Sequence, residues 1–390
     1  MNKYRLGILT GSHAVNDLYQ GMVPALLPLL MLERGYTYTQ ATGLVLAANG
    51  ISSIVQPVFG VYSDGRNRSW LVPMGFLLAA LGVVLAIQGT NYSVTWLAIA
   101  LSGVGIAAYH PPATVAARAA GGTSQTAISI FSVGGTLGAA CAPLLVSVVA
   151  DKPIDSRMAL LAAPALAMAA IWFFSNRSAE AETLTMLARN GTTIERQNNW
   201  KDFSFLVAII VLWSIPYVAV MSTISLHFIR SLGAPQSYGA TALTVFLVGD
   251  ALGTLIGGWL ADARGRIATI RIGYILMLPS LAGIVWAPSP SVAIICCAVF
   301  GMAMFIPFAS KVTIAQDLLP KSPATASGIA LGLALSAGGL ASPFLGMIAD
   351  DWGLVTMLAS ALIILGAAGL LAFWLRDPLT IGAQAGLAEA

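Results

Sequence analysis

What most constrains this chain is where its charges fall. The 390 residues include 19 Lys and Arg and 16 Asp and Glu, together 9% of the total, against about 25% in a soluble domain. These few charges cluster in short breaks between apolar runs of roughly 18–28 residues, the length a helix needs to cross a bilayer. With 57% hydrophobic residues and a mean hydropathy of +0.83, the chain has too little polar surface for an ordinary soluble enzyme. The same numbers exclude a disordered chain and a nucleic-acid-binding protein. A net charge of +3 is too small to imply an acidic partner. The reading is an all-α, polytopic membrane protein, because within hydrocarbon a single segment satisfies its own backbone only as a helix.

Twelve spans are expected, near 6–32, 40–63, 70–88, 94–118, 124–150 and 157–175, then 203–230, 238–261, 270–288, 290–315, 324–349 and 354–375. The one long polar stretch, 176–202, separates an N-terminal six-helix bundle (1–175) from a C-terminal one (203–390) with a short tail. The first run contains Asp17 and is followed by further spans, so it does not read as a cleavable signal. Cys141, Cys296 and Cys297 lie inside apolar runs without metal-ligand spacing and read as buried small side chains. No metal and no cofactor other than a coupling proton is expected, and no glycine-lysine P-loop is present to use ATP.

The two bundles resemble each other. Gly60-Val61-Tyr62-Ser63-Asp64 recurs as Gly258-Trp259-Leu260-Ala261-Asp262, an offset of 198. Pro143 and Asp151 find counterparts at Pro343 and Asp351 (offset 200), and Gly134-Gly135 at Gly338-Gly339 (offset 204). A duplicated six-helix unit with parallel topology is a transporter architecture, with its site expected where the repeats meet.

Each G-x-x-x-D ends the second helix of its half. A carboxylate at a helix C-terminus opposes the macrodipole and needs a nearby helix N-terminus or a cation. Asp262 followed by Arg264 in Ala263-Arg264-Gly265-Arg266 reads as a gate latch; Asp64-Gly65-Arg66 misplaces the glycine, so a weaker latch is expected there. Gly134, Gly135, Gly138 and Pro143 give the fifth span a smooth, bendable face suited to close helix packing. On the first span, His13, Asn16, Asp17 and Gln20 fall within an arc of about 100°. Of the sixteen acids only Asp17 and Asp250 lie deep inside apolar spans. An intramembrane ionisable group normally faces a partner or a watery cavity, which points to proton handling by Asp17 and His13, with a structural hydrogen-bond cluster as the alternative. His110, backed by Pro111-Pro112, and Asp250 are further candidates for proton coupling. His227 reads as interfacial. Lys311 and Arg118 read as snorkelling cations, with the attraction of an anionic substrate as the other option. Trp213, Tyr217 and Trp286 either line a cavity or pack.

The repeated loop resembles the signature of the major facilitator superfamily, and the glycine-and-proline face is similar to its antiporter motif. Ser12-His13-Ala14-Val15-Asn16-Asp17 leading to Pro24-Ala25-Leu26-Leu27-Pro28 resembles the fosmidomycin-resistance type of exporter within that superfamily. Tyr109-His110-Pro111, Ser129-Ile130-Phe131-Ser132-Val133-Gly134-Gly135 and Ala315-Gln316-Asp317-Leu318-Leu319-Pro320 extend the likeness over essentially all twelve spans. Two positions depart from it: Pro112 where an acid is common, and Asp250 where a small residue is expected. The resemblance implies proton-coupled efflux of a small organic molecule or drug by a monomer in the cell inner membrane. Candidate substrate contacts are Asn16, Gln20, Tyr109, His110, Trp213 and Tyr217. A carrier of an ordinary metabolite (sugar or organic anion) is the alternative within transport; a non-transporting receptor or a lipid-handling protein lies outside it.

Orientation follows from the basic residues. With a cytoplasmic N-terminus, 15 of the 19 Lys and Arg fall inside and four, Arg34, Lys152, Arg157 and Arg230, fall outside. The positive-inside rule then puts both termini and the 176–202 stretch in the cytoplasm. Single cysteines placed in that stretch, in a cysteine-free background, are expected to react with impermeant thiol reagents only after the membrane is opened. Labelling from outside intact cells contradicts the orientation.

Overall fold

The computed structural model describes residues 1–64, 68–149, 156–176 and 197–379. Among them all regular structure is helical. The helices are α1 (Lys3–Arg34), α2 (Tyr38–Ser63), α3 (Leu71–Gln88), α4 (Tyr92–Gly121), α5 (Gln125–Val149) and α6 (Ala163–Asn176), the last preceded by a 3-10 turn over Ser156–Ala162. The second set is α7 (Trp200–Arg230), α8 (Gln236–Arg264), α9 (Arg266–Val285), α10 (Pro290–Phe305), α11 (Phe308–Leu318) and α12 (Pro323–Trp374). Three expected spans depart from a plain straight helix. The tenth breaks at Ile306-Pro307 into α10 and α11, where proline removes a backbone donor. The eleventh and twelfth, grouped as α12, are two helices that meet in a kink at Gly353, whose non-helical φ of 85° is a conformation that glycine adopts at little cost. Among the described residues nine helices are long and apolar enough to cross a membrane. The polar middle of α1 leaves it outside those nine.

Local chemistry sets the ends. Asn2 caps α1 by accepting from Arg5 N, and Gly35 in the left-handed region (φ 65°) stops it. Thr37 and Gln40 form a reciprocal capping box on α2. Asn91, Asn199 and Ser289 cap α4, α7 and α10 in the same way.

The chain divides into two compact units. The first comprises Met1–Thr123, Ile130–Asn198 and Pro320–Gly332; the second comprises Ser124–Ser129, Asn199–Leu319 and Leu333–Ala390. In the first, α4 packs against α1, α2 and α3; in the second, α10 packs against α8 and α9. Glycines set these contacts. A Cβ on Gly103 would lie 2.5 Å from the Ala48 carbonyl, and one on Gly75 would lie 2.9 Å from the Gly105 carbonyl. Gly301 against Phe246, and Gly273 against Ala303 and Pro307, repeat the arrangement. Gly301, Phe246, Gly273 and Ala303 are Gly103, Ala48, Gly75 and Gly105 displaced by 198, the offset of the loop motif. The duplication is therefore written in the backbone packing, where close approach leaves no room for a side chain.

Candidate functional site

Three ionisable side chains meet inside the first unit. α1 supplies His13 and Asp17 one turn apart, and α4 supplies His110. His13 Nε2 lies 3.2 Å from Asp17 Oδ2, and His110 Nε2 lies 3.3 Å from Asp17 Oδ1. His13 and His110 are buried. The other nitrogen of each ring is fixed by a backbone carbonyl: His13 Nδ1 is 2.7 Å from Phe131 O, and His110 Nδ1 is 2.8 Å from Ile106 O. Phe131 also stacks on His13 with ring centroids 4.3 Å apart. α5 comes close enough because of its glycines. A Cβ at Gly135 would collide with Asp17 Oδ2 and the His13 ring, and one at Gly138 would strike the Ala14 backbone. Asn16 donates to Asp17 Oδ1 at 3.0 Å while its own Oδ1 is buried without a partner. The Tyr109 hydroxyl is tied to Ser12 Oγ at 2.8 Å, and Gln20 is half-buried.

The hydrogen bonds set the tautomers. A carbonyl oxygen only accepts, so the bonded Nδ1 of each ring carries the hydrogen. In the neutral ring Nε2 then presents a lone pair to a carboxylate oxygen, which also presents lone pairs. Each of the two contacts therefore requires a proton. Two protons complete the set with a net charge of +1, either as two imidazolium rings around a carboxylate or as one imidazolium beside a carboxylic acid. Removing one returns the cluster to neutrality and leaves one contact repulsive. The ligand atoms of the three residues lie within 4.8 Å of one another, so by spacing the same lone pairs could also hold a metal ion.

The second unit treats its polar residues differently. Trp213 and Tyr217 on α7 stack with centroids 5.5 Å apart and both meet Phe305 edge-on. The Trp213 indole donates to Met304 O at 3.1 Å. Both are buried, whereas Trp286 is 59% exposed and lies on the outside of the unit. Asp250 is buried on α8 with Oδ1 unpartnered. Three expectations are corrected here. Lys311 does not snorkel: it is 4% exposed, with Nζ 3.5 Å from the centre of the Trp213 ring. His227 is fully buried rather than interfacial, with Nε2 3.1 Å from Ile284 O. Cys141 is exposed, since the close-packed face of α5 is the glycine face, and only Cys297 is buried; all three thiols are free.

At the repeated loops the compensation for each carboxylate is a helix N-terminus. Asp262 accepts from the Gln125 and Thr126 amides at 2.6 and 3.0 Å and from the Ser124 and Thr126 hydroxyls at 3.0 and 2.6 Å, at the start of α5. Asp64 accepts from the Ala324 and Thr325 amides at 2.9 and 3.0 Å and from the Thr325 hydroxyl, at the start of α12. Burial raises the Asp64 carboxyl above its ordinary range, against the pull of those bonds. The latch is thus not an Asp262–Arg264 pair, and the first copy matches the second in its amide contacts. Among the described residues Arg264 makes no ion pair and is exposed. Arg66 lies outside the described residues. The buried cation is Arg266, which pairs with Asp317 and Asp377. Gly60 and Gly258 allow the close approach: a Cβ would fall 2.7 Å from the Ala324 carbonyl at the first and clash with Ser129 at the second. The Ser-Gln-Thr and Pro-Ala-Thr helix starts at 124–126 and 323–325 were the readable cue for these partners.

The model of the Major Facilitator Superfamily matches residues 9–342. The fosmidomycin resistance protein of Escherichia coli (strain K12) is 30% identical over 363 residues, 88% of this chain and 86% of that protein. The uncharacterized MFS-type transporter YfnC of Bacillus subtilis (strain 168) is 30% identical over 383 residues, 95% and 93% of the two chains. Among solved structures, the E. coli fucose:proton symporter FucP superposes with a TM-score of 0.75 at 15% identity, covering 95% of this chain and 98% of that one. A bacterial homologue of the iron transporter ferroportin, in its outward-facing state, superposes with a TM-score of 0.69 at 15% identity, covering 94% and 98%. At that identity both show the fold alone.

The loop geometry separates two bases for the latch. Replacing Asp262 by Asn removes an anion from a helix N-terminus, worth about 1 kcal/mol at a partly exposed position. Thermal unfolding in detergent is expected to show that loss for Asp262→Asn and none for Arg264→Gln. Arg266→Gln strands two acids, and the loss is expected to reach about 3–5 kcal/mol. Equal losses at Asp262 and Arg264 would restore the ion-pair latch.

Proposed function

The chain belongs to the Major Facilitator Superfamily and is a membrane transporter, not an enzyme; on that premise we propose that it is a proton-coupled antiporter that exports a small organic molecule or drug. The observation that carries this reading is the His13–Asp17–His110 cluster, whose two contacts each call for a proton. An exporter must bind a proton from one side of the membrane and release it to the other. A cluster that is neutral with one proton in its contacts and charged with two supplies a reversible acceptor. Its cost in an apolar interior rises with its charge, so loading the second proton favours a state that opens the cluster to water. Alternating access then links that opening to the substrate side. A proton moving through 100 mV contributes about 2.3 kcal/mol, and a pH gradient adds to it.

The identity to a fosmidomycin resistance protein over most of both chains supports efflux over uptake. The protein is read as a monomer in the cell inner membrane, and the 15-to-4 distribution of basic residues supports placing both termini in the cytoplasm. Asn16 and Gln20, beside the cluster on α1, are read as substrate contacts. Trp213 and Tyr217, stacked on α7 within the second unit, are also read as substrate contacts. The Tyr109 hydroxyl, tied to Ser12, positions α4 against α1.

Asp17→Asn keeps the size and most of the hydrogen bonding while removing the carboxylate. In proteoliposomes it is expected to exchange substrate down its gradient and to lose uphill transport driven by an imposed pH gradient, at least a tenfold fall in accumulation. Unchanged accumulation makes Asp17 structural and moves the proton to His110 or Asp250. Repeating the assay with a metal chelator separates protons from a bound metal: transport coupled to protons is unaffected by it.

A further inference from the structure

We infer that Lys311 and the aromatic group around it form an anion-binding subsite, and hence that the transported molecule is a small organic oxyanion with an apolar or aromatic body. This deepens the transport reading above and rests on it for the word transported, though not for binding.

Lys311 lies within the membrane-crossing segment Pro290–Leu318, one turn past the break at Ile306-Pro307. It is 4% exposed, and among the described residues it makes no ion pair and no hydrogen bond through its side chain. Its ammonium meets the Trp213 ring face, 3.5 Å from the centroid. An aromatic face attracts a cation through its quadrupole, but it neither neutralises the charge nor accepts the three N–H bonds that an ammonium can donate. Asp250 is buried in the same unit, yet no ion pair joins it to Lys311, and its Oδ1 has no partner. By contrast Arg266, the other buried cation of this unit, is matched by two carboxylates. A buried amine in an apolar interior keeps its charge only beside an anion; the described residues give Lys311 none, and on this proposal a ligand anion supplies it.

The surroundings fit one kind of body for that anion. The Trp213 and Tyr217 rings are parallel within 5° and stacked, and Phe305 meets both edge-on. Ser310, next to Lys311, has a buried hydroxyl oxygen without a partner. Flat aromatic walls beside a lone ammonium suit a carboxylate, sulfonate or phosphonate on an unsaturated or apolar scaffold, the charge going to Nζ and the body to the rings. The corresponding position in the first unit, at the offset of 198, is Ala113, so the duplication itself does not require a cation here.

The test uses the full-length protein in detergent or nanodiscs, with no proton gradient, and three probes: benzoate, benzenesulfonate and phenylphosphonate, against neutral benzamide. Binding is read by thermal stabilisation and by tryptophan fluorescence. At least one oxyanion is expected to bind tenfold or more tightly than benzamide. Lys311→Met, or Lys311→Gln should the methionine variant fail to fold, is expected to abolish that preference while leaving benzamide unchanged. Lys311→Arg is expected to retain most of it. A wild-type protein that binds no oxyanion better than benzamide, or a folded Lys311→Met or Lys311→Gln variant that keeps the preference, overturns the proposal. Because binding is measured without a gradient, Asp17→Asn protein should keep the preference. Loss of proton coupling as an explanation and loss of the anion site are thus read in separate assays.

Discussion

The structure depends throughout on the cost of placing charge and unpaired polar groups in an apolar interior. A chain with 35 acidic and basic residues among 390 spends few of them there, and nearly each one is answered. Asp17 is enclosed by two imidazoles, Arg266 by two carboxylates, and Asp64 and Asp262 by the amides of helix N-termini. Against that background Lys311 and Asp250 stand out, because the described residues leave them without a matched charge. The pattern differs between the units: the first holds a self-contained cluster of two histidines and an acid, and the second holds a buried lysine and a buried acid without a matched charge.

Duplication explains the frame and not the chemistry. The glycine contacts repeat at an offset of 198, as do the carboxylates that cap α5 and α12. The cluster does not repeat. Counterparts of His13, Asp17 and His110 at that offset are Val211, Ile215 and Phe308, all apolar. Two copies of one six-helix scaffold thus carry a polar centre in one copy and an aromatic one in the other. An asymmetric distribution of this kind suits a carrier in which proton and substrate are held by different parts of the chain.

Much of this was legible in the sequence. Twelve spans follow from hydropathy because lipid admits few other folds, and the stripe on α1 follows from helical periodicity alone. The meeting of His110 with Asp17 required tertiary structure, since 93 residues of chain separate them, though the family resemblance pointed there. The latch was misassigned because Arg264 is the nearest cation in sequence; the true partners, 124–126, lie in another helix and act through backbone amides, which no side-chain pattern displays. Lys311 and His227 were placed at the membrane faces because polar residues near span ends usually reach water, yet the break at Pro307 and the packing of α7 bury them. Cys141 shows the converse: an apolar run says that a residue is in the membrane, not whether it faces protein or lipid.

The central claim is that His13 and His110 share one tautomer and take up protons between themselves and Asp17. Histidine-selective 15N NMR in bilayers tests it most directly, because the chain has three histidines. The account predicts that His13 and His110 both carry the hydrogen on Nδ1, and that a proton lies in the contact between Asp17 and at least one Nε2. His227, whose Nε2 faces the Ile284 carbonyl, should show the opposite tautomer. Finding His13 or His110 as the Nε2–H tautomer with a bare Nδ1, or finding no proton in either contact with Asp17, would contradict the account.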